Sequence, residues 1–162
     1  MYGSAVAQVL VIRHGQTEWS QVGRHTGRTD IPLTETGRYE ARDAARTLDG
    51  WGLVAAYTSP LRRARETAEI VSPPCGVDVD DDLLEWDYGY FEGESTAASR
   101  ERIPGWSVWT HEITGGETVE QVGERADRFL ARLDDGRGDG NVAVFAHGHL
   151  LAVLIARWCG LA

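Results

Sequence analysis

The sequence predicts an α/β fold, a three-layer sandwich with a mainly parallel sheet covered by helices on both faces. Three observations carry that reading. Short runs of β-favouring apolar residues, at Val9 to Ile12, Leu53 to Thr58 and Val142 to Ala146, read as buried strands. Stretches with helical period lie between them, and alternation of strand and helix implies parallel pairing with crossover helices. Each apolar run also stops abruptly at polar or small residues: Arg13-His14-Gly15, Ser59-Pro60 and His147-Gly148-His149.

Taken in order, residues 6 to 12 are expected to form the first strand, after a frayed start at Met1 to Ala5. Residues 16 to 33 are polar and glycine-rich and read as a functional loop, with room for one helical turn after Gly15. Thr34 is placed as an N-cap, and Ala41, Ala44, Ala45 and Leu48 share one face of a helix over 35–49. The second strand runs into Ser59-Pro60, which reads as N-cap and first helical residue of a helix reaching Val71, with Arg62 in its first turn. Pro73, Pro74 and Gly76 then break the chain before a short strand at 77–79 and an acidic run, Asp80 to Asp82, read as a solvated turn. Residues 83–94 form a shaped aromatic loop, and a short helix follows Ser95 and ends before Pro104. Thr118 to Gln121 matches a capping box that opens a helix over 119–134. A turn-rich linker, the strand 142–146 and an apolar helix stopped by Gly160 complete the chain.

A chain of 162 residues fits one domain, 1–162, able to bury roughly two thirds of the surface its unfolded form exposes. The net charge of -9 speaks against nucleic acid and anionic membranes as partners. All 16 basic residues are arginine, so a P-loop nucleotide site, which requires a lysine, is excluded. Cys75 and Cys159 lack disulfide-scaffold or metal spacing, and no signal peptide or spanning segment is visible, which points to a cytoplasmic protein.

The chemistry concentrates where parallel sheets bind ligands, at the carboxyl ends of the strands. Arg13 and His14, then Ser59 with Arg62, then His147 with Gly148 are all assigned to that edge. Two arginines, two histidines and free N–H groups at helix starts would make a local positive field inside an acidic protein, fitted to a phosphate monoester. Each residue alone has an ordinary structural explanation. His147-Gly148-His149 would also serve as a weak metal site, although no acid or cysteine ligand lies close in sequence.

Arg13-His14-Gly15-Gln16-Thr17-Glu18-Trp19 resembles the signature of the histidine phosphatase superfamily, the phosphoglycerate mutase-like proteins. Thr58 to Ala68 is similar to that family's second motif, and Leu84-Glu85, Tyr88-Gly89 and Glu92-Gly93 to its acid-bearing loop. Gly115 to Thr118 and His147-Gly148-His149 are similar to the remaining two, in the same order along about residues 8 to 160. The resemblance implies that His14 becomes phosphorylated, that Arg13, Arg62 and His147 grip the phosphoryl oxygens, and that Glu85 donates the proton. It also implies that no metal or cofactor is needed. Leu83, Leu84, Trp86 and Tyr88 supply apolar neighbours able to raise the Glu85 pKa.

Ser20, His25, Thr26 and Gly27, with Tyr88, Gly148 and His149, are the expected substrate contacts, and the segment 20–27 is similar to the acid-phosphatase and sugar-bisphosphatase branch. Only about thirty residues separate Glu85 from Gly115, too few for the long basic cover of the mutases. The expected activity is metal-independent hydrolysis of a small phosphorylated metabolite, with phosphoglycerate mutase and an inactive phosphate-binding protein as alternatives. Members of this branch continue beyond the helix that ends near Gly160, so a C-terminal segment looks to be missing. Leu150, Leu154, Ile155 and Trp158 would lose their cover, and a homodimer or higher assembly is expected to bury them.

Overall fold

The computed structural model describes residues 8–134 and 140–161. The frayed start and most of the linker after Asp134 lie outside them. Four strands, β1 (Val9–Arg13), β2 (Leu53–Thr58), β3 (Asp78–Val79) and β4 (Asn141–Ala146), form one parallel sheet in the order β1-β4-β2-β3. The apolar runs are central for a physical reason. β4 is fully buried from Val142 to Ala146 because both its edges are paired and both its faces covered.

Helices α2 (Glu35–Leu48) and α3 (Arg62–Val71) pack against each other, and α3 lies on the sheet face where Ala56, Ala68, Ala143 and Phe145 meet. On the other face α5 (Val119–Asp134) and α6 (Gly148–Trp158) cover a larger core containing Tyr57, Phe129, Val142, Val144 and Leu154. Two short helices, α1 (Glu18–Gln21) and α4 (Thr96–Arg102), belong to the loops above the carboxyl ends of the strands. The caps follow local chemistry. Thr34 Oγ1 accepts from Gly37 N, and Thr118 and Gln121 close the expected capping box through bonds of 2.9 and 3.3 Å.

Three expectations are corrected. Ser59 does not cap α3; its hydroxyl accepts from Leu61 N at 3.3 Å and faces His147, so the helix begins at Arg62 with Leu61 as N-cap. Asp80 and Asp82 are not a solvated turn, since Arg132 holds both and Arg128 holds Asp82, clamping this loop to α5. Leu150 and Leu154 are buried in the core, whereas Ile155 and Trp158 are 47% and 45% exposed beside β1, the edge strand of the described sheet.

The turns at the carboxyl ends converge. His14 N donates to Ala146 O and Ser59 N to Phe145 O, both at 3.0 Å, so the residues following β1 and β2 are tied to β4. Gly15 permits an otherwise impossible approach: a Cβ there would sit 2.3 Å from Gly37 O in the first turn of α2.

Candidate active site

A cleft of about 320 Å³ opens over these strand ends, lined by Arg13, His14 and Glu85 on its floor and by the segment from Ser20 to Thr26 on one wall. Tyr88, Gly148 and His149 complete the lining, with the Tyr88 and His149 ring centres 4.9 and 6.1 Å from that of His25. This is a pocket of small-metabolite size.

His14 is buried, and its Nδ1 lies 2.8 Å from Gly15 O. A carbonyl only accepts, so Nδ1 carries the proton and Nε2 keeps its lone pair. Burial, reinforced by the Arg63 and Arg13 charges and opposed by the bond to Gly15, pushes the His14 pKa down to about 3. The imidazole is therefore neutral throughout the physiological range. Its ring centre is 5.2 Å from that of His147.

His147 is fully buried and its tautomer is also fixed. Arg63 Nε donates to Nδ1 at 3.2 Å, which leaves the proton on Nε2, 2.8 Å from Ser59 Oγ. Burial and then the Arg63 charge drive its pKa well below the usual imidazole value. His147 and His149 diverge from their shared motif: His149 Nδ1 meets Tyr88 Oη at 2.5 Å, while its backbone N–H turns to Glu85.

Glu85 is buried, with Leu83, Trp86 and Tyr88 buried around it, as the apolar neighbours predict. Its Oε1 accepts from Trp86 N and Leu150 N, both at 2.9 Å, and Oε2 accepts from His149 N at 3.2 Å. Burial raises its pKa, against those three N–H groups and the Arg63 charge, which favour the carboxylate. Oε2, with one long contact, is the oxygen left to carry a proton.

The structure does not bring Arg62 to this cluster. Its backbone N–H bonds Asp30, and its guanidinium pairs with Glu66 at 2.7 Å on the surface. The neighbouring Arg63 occupies the expected place. Its side chain is fully buried and donates to His147 Nδ1 and to the carbonyls of Thr26, Gly27 and Thr29. The signal was in the helix phase. Arg63, Ala64, Thr67 and Ala68 form the buried stripe of α3, and Thr67 Oγ1 accepts from Gly15 N while bonding back to Arg63 O.

The substrate-loop expectations divide. Ser20 and His25 line the cleft, but the Ser20 hydroxyl is also committed to the α1 cap through Thr17. His25 stands 4.9 Å from the Tyr88 ring and 5.3 Å from Trp106. Thr26 lines the wall, whereas Gly27 lies behind it, pinned by Glu92 and packed so closely that a Cβ would reach 2.6 Å from Trp86 O. Gly148 and Arg13 adjoin, a Cβ on Gly148 falling 3.6 Å from Arg13 Nε.

Comparison with known proteins places this geometry in context. Residues 9–162 match the family model described as histidine phosphatase superfamily (branch 1). The chain is 40% identical to an acid phosphatase of Mycobacterium tuberculosis, over 95% of this chain and 76% of that protein. It is 35% identical to sedoheptulose 1,7-bisphosphatase of Saccharomyces cerevisiae, over 98% of this chain and 69% of that one. Among solved structures, a mycobacterial glucosyl-3-phosphoglycerate phosphatase complexed with VO3 superposes with a TM-score of 0.87 at 32% identity, covering 95% of this chain and 82% of that chain.

Proposed function

The chain belongs to the histidine phosphatase superfamily, and from that premise we propose that it is a metal-independent phosphomonoesterase acting on a small phosphorylated metabolite through a phosphohistidine on His14. The observation that carries the reading is the fixed tautomer of His14: a neutral imidazole with an unprotonated Nε2 in a cleft bordered by Arg13 and, beneath it, Arg63. Phosphoryl transfer depends on positioning and charge stabilisation, and both are supplied before substrate arrives.

The steps balance as follows. The Nε2 lone pair of His14 forms the N–P bond while the bond from phosphorus to the leaving oxygen breaks. That oxygen takes the proton of Glu85. The resulting carboxylate then takes a proton from water, the water oxygen bonds phosphorus, and the N–P bond returns its electrons to Nε2. Arg13, which lines the cleft, bonds the equatorial oxygens, the buried Arg63 contributes its charge from behind, and His147 would turn its Nε2 proton from Ser59 Oγ to them. Arg63 takes over here the role expected of Arg62.

Hydrolysis is favoured over phosphoryl transfer to a second metabolite by the short segment between Glu85 and Gly115, which leaves the cleft open to water. The names of the acid phosphatase and bisphosphatase relatives agree with a small phosphorylated substrate. One histidine phosphatase domain spanning the chain is part of this reading. So is self-association through the open β1 edge, where Val11, Ile155 and Trp158 are exposed. Among the described residues no helix is long and apolar enough to cross a membrane.

The test compares leaving groups. Glu85→Gln should lower kcat/KM for a sugar phosphate by about 10²- to 10⁴-fold, the usual contribution of a general acid, and much less for a nitrophenyl phosphate, whose phenolate departs without help. His14→Ala should abolish release from both. Equal losses for Glu85→Gln on the two esters would remove Glu85 from the proposed role, and phosphate release by His14→Ala would remove the phosphohistidine.

A further inference from the structure

Most of the described arginines of this chain are occupied by carboxylates. On the surface they pair along their own helices, as Arg38, Arg42, Arg46 and Arg65 do, or cross between elements, as Arg102, Arg128, Arg132 and Arg157 do. Among the described residues, the arginines with no carboxylate in ion-pair range are Arg13, Arg24, Arg63 and Arg100. Arg100 is satisfied by the carbonyl of Trp106 at 3.0 Å. Arg13 and Arg24 line one cleft, and Arg63 is buried behind it against His147. Arg13 serves the phosphoryl end with Arg63 behind it, and Arg24 lines the cleft with a guanidinium that bonds nothing among the described residues.

In a chain of net charge -9 with 25 acidic residues, a cation left without an acid beside a ligand cleft is available to an anion that enters. The backbone of Arg24 is not loose. Its N–H bonds Trp19 O at 3.0 Å, its carbonyl accepts from Thr26 Oγ1, and it pairs across an antiparallel bridge with Ser95. A long side chain thus springs from a fixed point on the wall that ends in His25 and Thr26. The acids of the segment paired with this loop are also spoken for: Glu92 accepts from Gly27 and Thr29, and Glu94 is held by Arg102.

We propose that Arg24 recognises a second anionic group on the substrate, so that the preferred metabolite is a phosphate ester carrying a further phosphate or carboxylate beyond the scissile one. The assignment of the scissile end rests on the function proposed above; the second-anion subsite rests on the arrangement of Arg24. A cation with no internal partner keeps its full capacity for a charge-assisted bond to ligand, whereas Arg62 or Arg102 would first have to release a glutamate.

Binding and turnover separate the two ideas. Calorimetric titration of the His14→Ala protein with butyl phosphate, phosphonooxybutyrate and butanediol bisphosphate varies only the far end of one chain. The two doubly anionic ligands should bind about five- to tenfold more tightly than butyl phosphate, as expected for one partly screened charge-assisted contact. Adding Arg24→Gln should erase that margin, Arg24→Lys should keep part of it, and rising ionic strength should shrink it. The larger margin of the two tells whether phosphate or carboxylate is the natural group. Because Arg24 is exposed and bonds nothing through its side chain, its substitution should leave the melting temperature unchanged. A margin that is absent, or that survives Arg24→Gln, overturns the proposal. The function is read apart from this, by phosphate release from the same esters with His14 intact: its failure beside an intact margin would strike the hydrolytic reading and leave the anion subsite standing.

Discussion

The loop that bears Glu85 has two faces, and each holds a buried arginine and a glutamate in opposite relation. On the back face Arg125 and Glu117 meet bidentately at 2.7 and 3.0 Å; Arg125 also holds the carbonyls of Asp82 and Leu84, and Glu117 accepts from Asp87 N and Arg28. On the cleft face Arg63 and Glu85 feel each other's charge but form no ion pair; Arg63 is satisfied by carbonyls and a neutral histidine, Glu85 by backbone N–H groups. The pKa values follow. The Arg125 hydrogen bond, with the bond from Asp87 N–H, holds Glu117 below the usual carboxylate value against its burial, while burial lifts Glu85 above it. A buried pair that neutralises itself fixes a loop. Buried groups kept apart leave one charge and one proton free for a ligand.

The sharpest way to break that comparison is to truncate the two arginines. Arg63→Ala should lower kcat/KM per folded molecule by at least about 10²- to 10³-fold, the scale of a lost charge-stabilising donor. Arg125→Ala should instead cost about 1–3 kcal/mol of stability, because the part-buried Glu117 keeps only Arg28 and the Asp87 N–H, and the carbonyls of Asp82 and Leu84 lose their donor. Its kcat/KM per folded molecule should fall less than about tenfold, since the long bond it loses to Glu85, at 3.5 Å, is to the main-chain carbonyl and not to the carboxyl group. Denaturant melts paired with active-site titration decide it. A catalytic collapse in Arg125→Ala without loss of stability would dissolve the distinction between the faces.

The glutamates give a second, smaller contrast, through pH. Glu85 must be protonated to serve a poor leaving group, and its raised pKa means that kcat/KM for a sugar phosphate should hold on the acid side and fall as pH rises through that value. The acid limb should appear only near pH 3, where His14 gains a proton on Nε2. Stability has the reverse sign at Glu117. Its lowered pKa gives a contribution present above the unfolded carboxylate range and lost as pH falls through the folded value. The raised pKa of Glu85 gives one present at acid pH and lost as pH rises. At neutral pH, then, Glu117→Gln should lower the melting temperature and Glu85→Gln should not. A kcat/KM profile that rises with pH would reverse the assignment of Glu85.

Much of this architecture was legible because strand ends are marked in sequence. Buried strands must be apolar, so the switch to Arg13-His14, Ser59 and His147 located the ligand edge, and the structure brings the two histidines within 5.2 Å. What escaped depended on partners distant in sequence or on angle. Asp80 and Asp82 read as a solvated turn because Arg128 and Arg132 lie on a helix some fifty residues later. Glu117 stands inside the Gly115 to Thr118 motif, but its pairing is not legible there, since its partners Arg28, Asp87 and Arg125 come from three separate segments. The sequence assigns Leu150, Leu154, Ile155 and Trp158 to one uncovered patch, yet Leu150 and Leu154 are buried in the core while Ile155 and Trp158 are exposed. Ser59-Pro60 was mistaken for a helix start because serine serves an N–H of a helix start and a buried imidazole equally well.

The smallest expected effect sharpens the comparison most finely, because it involves neighbours in sequence. Successive residues on a helix point about 100° apart, so Arg62 and Arg63 cannot both face the cleft. The stripe Ala64, Thr67 and Ala68 assigns the buried direction to Arg63, and Arg62 is left 57% exposed in its side chain beside Glu66. An exposed i,i+4 pair is worth less than about 1 kcal/mol, because water screens it and two long side chains must be ordered to make it. Glu66 also keeps Leu33 N and Arg38 as partners when Arg62 is removed, so no buried charge is stranded. Arg62→Ala should therefore shift stability by no more than that and change kcat/KM by less than about threefold, within the range of an ordinary surface substitution. Measured beside Arg63→Ala, it asks whether one step along a helix separates a surface ion pair from the phosphoryl site. A loss in Arg62→Ala comparable to that in Arg63→Ala would mean that Arg62 leaves Glu66 and enters the cleft when substrate binds, and the line drawn between paired and unpaired arginines would have to move.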